Sequence, residues 1–309
     1  MKSILSRTLR RRGVDRWTRA AALAVSAAAC DDERPDIAVI DKTRILAARV
    51  EVEGDPARAS PAPGETVSVS LLVVTPDPDP ALAYALQACV ATDSVSDLVS
   101  CTGEPLALAS SLEPVVGVPV VSFSAPEGPV PSGRLAVIGA VCSAGVALPA
   151  ENARACADGS WLLGVTADFP MQDETTNNLN PAFVSLSLDG AELSAETASE
   201  NDCGRLPGVP SASTGHGLRA ELDPESRDPL PQVASSDPPR ESLLVSWFTN
   251  RGELDHAYSS IDSDAPDTLA VATWDAPSVG VPTLARFFVV VRDGRGGSDF
   301  LERRACVVP

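Results

Sequence analysis

The sequence predicts an all-β protein: two tandem antiparallel β-sandwiches that follow an N-terminal export signal. Three observations carry this expectation. From residue 43 onward, apolar and polar residues alternate with a period of two, in short runs bounded by Pro, Gly and Asp. Two distant parts of the chain repeat the same short elements in the same order. Ahead of both, a basic segment leads into a run of small apolar residues.

The leader comes first. Residues 1–19 carry seven basic side chains against one acid, Asp15, and residues 20–29 read A-A-A-L-A-V-S-A-A-A. This is the order of an export signal, assigned to residues 1–29, with ordinary secretion after a different cut and a cytoplasmic helix as the alternatives. Ten apolar residues are too few to cross a bilayer core, which takes about 20. The stretch A-A-A-C resembles a bacterial lipobox, with Ala27 where that family usually has Leu. The resemblance implies cleavage before Cys30 and a diacylglycerol on its sulfur, which supplies membrane affinity that the protein surface lacks. D-D-E-R-P-D follows, and residues 30–42 read as a polar tether.

Charge and cysteines point the same way. The chain has a net charge of −18, and removal of the leader leaves 17 basic and 41 acidic residues. Such a surface repels nucleic acid and anionic headgroups, so no nucleic-acid partner is expected. With Cys30 assigned to the lipid, six cysteines remain: Cys89, Cys101, Cys142, Cys156, Cys203 and Cys306. An even set in an exported protein reads as three disulfides. No pair has C-x-x-C spacing and the chain has only two histidines, which argues against zinc. Six cysteines allow about 15 pairings. The strand positions favour Cys89–Cys101, Cys142–Cys156 and Cys203–Cys306.

The first sandwich is assigned to residues 43–175. In T-V-S-V-S-L-L-V-V, Val67, Val69, Leu71 and Val73 share one face; in S-W-L-L-G-V-T-A-D-F, Trp161, Leu163, Val165, Ala167 and Phe169 point inward. Two Ala- and Leu-rich runs, 81–88 and 105–112, fit either strands or short helices. The boundary falls in the polar, turn-rich stretch D-E-T-T-N-N-L-N-P (173–181). The second sandwich is assigned to residues 180–309. Val184, Leu186 and Leu188 are expected inside, with Ser185 and Ser187 outside. Leu218, Ala220 and Leu222 oppose Arg219 and Glu221 in the same manner. Trp247 is expected in the core of this copy, with Tyr84 near the equivalent place in the first. The last two strands form a hairpin around D-G-R-G-G-S-D (293–299). In the first copy the corresponding connection swells to residues 143–159, flanked by Cys142 and Cys156.

The repeat itself is F-S-A-P-E-G-P-V-P (123–131) against W-D-A-P-S-V-G-V-P (274–282), with R-V-E-V-E-G (49–54) upstream matching V-S-L-S-L-D-G (184–190). With V-V-V-R-D-G-R-G-G-S-D, the chain resembles bacterial surface domains of the immunoglobulin-like, cadherin-like and PKD-like kinds. That resemblance implies immunoglobulin-like or fibronectin-III-like sandwiches with an adhesion, scaffold or spacer role. The motif is specific for a turn, because Asp-Gly and Gly-Gly supply the positive φ values that tight hairpins need.

Several loops carry residues capable of chemistry. D-S-D-A-P-D (262–267) and D-G-R-G-G-S-D put carboxylates in loops, but neither has EF-hand spacing. T-P-D-P-D-P (75–80) reads as a stiff solvated loop. His216 and His256 are the only imidazoles; Ser213 and Thr214 lie near His216 in sequence, in a loop flanked by glycines. No G-x-S-x-G, phosphate loop or dinucleotide fingerprint occurs. No catalytic residue, metal ligand or cofactor is assigned. The expectation is a lipid-anchored, non-catalytic envelope module, held at the outer membrane or periplasmic face. It would bind an unknown protein or glycan through loops 143–159, 191–215 and 223–240. The alternatives are an envelope enzyme acting on glycan or peptide, marked by a deep acidic cleft between the sandwiches, and a calcium-stiffened spacer.

Overall fold

Alternating side chains become strands wherever the chain can bury one face. The computed structural model describes residues 37–76, 81–92, 99–142, 156, 163–172, 177–196, 198, 203–229 and 240–309. The leader, Cys30, Trp161 and nearly all of the 143–159 connection lie outside the described residues, as do residues 77–80 and 230–239.

The first seven strands are β1 (Arg44–Val52), β2 (Thr66–Val74), β3 (Ala81–Ala91), β4 (Cys101–Val116), β5 (Val120–Ser124), β6 (Arg134–Cys142) and β7 (Leu163–Pro170). They form two antiparallel sheets in the orders β1-β2-β5 and β4-β3-β6-β7. The inward faces share one core, with Val67, Val69 and Leu71 against Leu82, Leu86, Leu135 and Phe169. The two ambiguous runs are strands. Each lies in β3 or β4, and β3 is paired on both sides, so sheet pairing overrides the helical preference of Ala and Leu.

The chain then lays down β8 (Phe183–Leu188), β9 (Ala191–Glu192), β10 (Gly208–Pro210), β11 (His216–Leu222), β12 (Leu243–Thr249), β13 (Glu253–Leu254), β14 (Tyr258–Ile261), β15 (Leu269–Asp275), β16 (Thr283–Arg292) and β17 (Ser298–Val308). The sheets run β13-β15-β11-β8-β9 and β10-β17-β16-β12-β14. Stripped of its short flanking strands, this pair has the same order as the first: β8-β11-β15 stands for β1-β2-β5, and β14-β12-β16-β17 for β4-β3-β6-β7. The repeated sequences fall at equivalent places. Phe123 and Trp274 sit near the ends of β5 and β15, and Gly54 and Gly190 take positive φ just after β1 and β8. Trp247 is fully buried in the second core, and Tyr84 packs at the edge of the first.

Two expectations need correction. Val184 is 57% exposed, not inward. The β8–β11 register shifts beside Leu222, which pairs with Phe183; the resulting bulge turns Phe183 onto the core and Val184 outward. The polar tether also ends earlier than residue 42. Ala38 and Ile40 are buried, and the backbone at 38–40 is held by Ile40 N–H to Thr249 O (2.7 Å) and Thr249 N–H to Ala38 O (2.9 Å). Two apolar residues in that short stretch are enough to dock it.

Between the two cores lies a third apolar cluster. Leu46, Ala47, Leu72 and Val74, on the outward faces of β1 and β2, meet Phe288 and Val290 on the outward face of β16, with Ile40 alongside. The second face of β2 is therefore buried at its C-terminal half, at Leu72 and Val74, which its apolar run L-L-V-V allows. Three disulfides, Cys89–Cys101, Cys142–Cys156 and Cys203–Cys306, staple the sheets.

Candidate functional site

The D-G-R-G-G-S-D loop closes the β16–β17 hairpin, with positive φ at Gly294 and Gly296. It also does something that its turn chemistry does not announce. A Cβ on Gly296 would press on Phe169 and Pro170 of β7, and one on Gly297 would collide with Asp293 and the Leu179 carbonyl. The glycines thus let the hairpin approach the first pair of sheets and the connecting segment 177–180 closely.

Side chains complete the junction. Asn178 Nδ2 donates to Asp293 Oδ2 at 2.7 Å, and Asp293 also accepts from the Arg295 and Gly297 backbone N–H groups. Arg295 bridges Asp228 Oδ2 and Glu241 Oε2, each at 2.5 Å. Arg49 pairs with Asp299. The free edge of β1 is capped at three alternate carbonyls. Asn180 Nδ2 donates to Val50 O (2.6 Å), Ser298 Oγ to Ala48 O (2.5 Å), and Arg292 to Leu46 O. An edge strand that would otherwise offer unpaired acceptors is closed by residues that lead into and belong to the second pair of sheets. Arg286, buried and stacked over the Phe288 ring at 4.8 Å, pairs with Glu302 (2.9 Å) and donates to Thr75 O (3.1 Å).

A crevice of about 420 Å³ runs along this junction, between the edges of β1 and β7 and the hairpin loop. Its charged lining is Arg134, Asp168 and Arg292, with Arg134 Nε donating to Asp168 at 2.8 Å. An acidic cleft between the sandwiches, the mark expected of an envelope enzyme, is not what this crevice presents. Burial pushes Glu241 up to about 7 and raises Asp293 as well, but neither lines it. Burial also pushes Glu302 up, but the Arg286 and Arg304 guanidiniums more than offset it and hold that carboxyl below its usual range.

The loop carboxylates of the D-G-R-G-G-S-D hairpin are differently placed. Asp293 and Asp299 are bound to protein donors in the junction. Among the described residues, no three His, Cys, Asp or Glu side chains converge as a metal site. His256 lies at the surface, its Nδ1 2.9 Å from Asp255 and its Nε2 within reach of Ser259 Oγ (3.1 Å) and Val271 O (3.0 Å). His216 is placed otherwise. Its Nε2 is 2.7 Å from Ser213 Oγ and its Nδ1 2.7 Å from Asp189 Oδ2. Nothing in the sequence around Asp189 marks it as a partner of His216. The register that sets Leu188 opposite Leu218 brings the next residue, Asp189, beside Gly217 and His216. Of the loops expected to bind, 191–215 is described except at residues 197 and 199–202, while 223–240 is described only at 223–229 and 240.

Neither a protein-family model nor a curated protein sequence matches the chain. Among solved structures, the chain is similar to trypsin-activated alpha-2-macroglobulin from Escherichia coli. The two are 9% identical over 85% of this chain and 18% of that one, with a TM-score of 0.24. The chain thus spans less than a fifth of that protein's length. The three disulfides point to an oxidising, extracytoplasmic compartment.

Proposed function

We propose that the chain is a rigid presentation module of the bacterial cell envelope. A lipid on Cys30 holds it at a membrane, a short tether of about six residues (31–36) clears the headgroups, and two immunoglobulin-like or fibronectin-III-like sandwiches display loops to a protein or glycan ligand. The observation that carries this reading is the junction: an apolar seam between Phe288 and the β1–β2 face, together with the capped β1 edge, joins the sandwiches without a loose hinge. The repeated three-plus-four strand order and the disulfides support the rest.

Two measurements on the full chain test it. Intact-mass analysis of protein taken from the membrane fraction is expected to give a chain beginning at Cys30, carrying acyl groups, with six cysteines oxidised. A chain that keeps Met1 and seven free thiols overturns the anchoring. Spin labels at the exposed positions Leu108 and Tyr258, one in each sandwich, are expected to give one narrow distance distribution; a broad one overturns the rigidity.

A further inference from the structure

We propose that Ser213, His216 and Asp189 form a nucleophile–base–carboxylate array that hydrolyses small acyl esters. Both links, Ser213 Oγ to His216 Nε2 and His216 Nδ1 to Asp189 Oδ2, are 2.7 Å, inside the range of about 2.6–3.2 Å in which a base can take a hydroxyl proton.

The array is held from several sides. Asp189 takes a left-handed backbone, φ 51°, unusual for a residue other than glycine, and its second oxygen accepts from Gly217 N–H at 2.8 Å. The His216 ring packs against Trp274, and Gly215 N–H donates to Asp275 Oδ1 at 2.7 Å, tying the Ser213 loop to the end of β15. The His216 contact holds the Asp189 carboxyl below its usual range, so the carboxylate keeps a proton on Nδ1 and leaves Nε2 as the acceptor. The N–H of Thr214, the residue after the hydroxyl, makes no hydrogen bond among the described residues and is available to a developing oxyanion.

Counting protons shows how the array turns on and off. Ser213 Oγ also contacts the Pro210 carbonyl, which can only accept. Three links between two acceptor ends need three protons, whereas a neutral His216 and Ser213 supply two. With an imidazolium, all three links form and the hydroxyl is pinned on Pro210. With a neutral imidazole, the hydroxyl proton turns to Nε2 and the oxygen becomes a nucleophile. Asp189 and Asp275 are the charged groups on the turns packed about the ring.

In the reaction Ser213 Oγ bonds to the acyl carbon, its proton passes to Nε2 and then to the departing alkoxide, and water repeats the sequence to free the acid. Ala212, Thr214 and Gly215 are exposed, so the hydroxyl stands on an open loop at one end of the second sandwich. That fits a small acyl group carried on a larger molecule better than an enclosed ligand. The inference is independent of the presentation reading, and its failure leaves that reading intact.

The test is labelling of the folded full chain with a fluorophosphonate. Attack by Ser213 expels fluoride and leaves the phosphorus on Oγ, which peptide mass mapping locates. The expected result is selective modification of Ser213, with a rate that falls on acidification, and turnover of p-nitrophenyl acetate that Ser213→Ala abolishes. His216→Gln slows labelling about 100-fold and removes the pH dependence, while Asp189→Asn, a positioning change, lowers the rate less and alters the pH profile. Labelling of Ser213 no faster than that of other surface serines overturns the proposal. An unchanged rate in a His216→Gln variant with a normal melting curve overturns it equally.

Discussion

Asn178 and Asp293, 115 residues apart in sequence, meet through a 2.7 Å hydrogen bond in the interior of the protein. One comes from the segment between β7 and β8 and the other from the closing β16–β17 hairpin. Asn178→Ala strips a donor from a buried carboxylate and is expected to cost about 2 kcal/mol in urea unfolding. Asp293→Asn, which keeps an acceptor for the hairpin N–H groups, is expected to cost less than Asp293→Ala.

Gly252 has φ +75°, and a Cβ there would lie closer than 3 Å to the Asp275 carbonyl and Trp274 Nε1. Both neighbours are fixed, one as backbone and the other by its hydrogen bond to Arg251 O. Gly252→Ala is expected to lower stability by about 2 kcal/mol or more, read as a fall in melting temperature. Gly190→Ala has positive φ but open space around it and is expected to cost less.

Burial of Glu241 is expected to make the stability depend on pH. Burial raises its carboxyl from 4.5 to about 7 in the folded state. The folded protein therefore holds this proton more tightly than the unfolded chain does. The stabilisation is complete below pH 4.5 and is lost as pH climbs through 7. The loss amounts to about 3 kcal/mol at most. Chemical denaturation of the wild type and Glu241→Gln at pH 5 and pH 8 checks this: the wild type is expected to show the larger drop.

The disulfides should differ in worth. Cys203 and Cys306 are 103 residues apart, whereas Cys89 and Cys101 are separated by 12. In the chain-entropy model, replacing the first pair by alanines costs about 4–5 kcal/mol and the second about 3 kcal/mol. Unfolding of the two double variants side by side tests the order.

Much of this architecture can be read from residue patterns, because one-sided strands write their burial into the chain. Leu218, Ala220 and Leu222 face the core against Arg219 and Glu221 as alternation requires. Val184 escapes because a bulge depends on the partner strand's register, which alternation within β8 does not encode. The 81–88 and 105–112 runs are undecided locally, since Ala and Leu suit a helix until neighbouring strands are available to pair. Asn178 and Asn180 look like linker polarity, and only the fold reveals that their amides serve Asp293 and Val50. His216 lies within three residues of Ser213 in sequence, yet its carboxylate partner comes from another strand's end, 27 residues earlier.

The closing of β1 has a temporal side. The acceptors at Leu46 and Ala48 leave the ribosome 246 and 250 residues ahead of their caps, Arg292 and Ser298. Until synthesis passes residue 298, the nascent chain carries an open strand margin able to recruit the same margin of another copy. A product cut short before residue 292 would keep that margin for life, and clumping should be its fate.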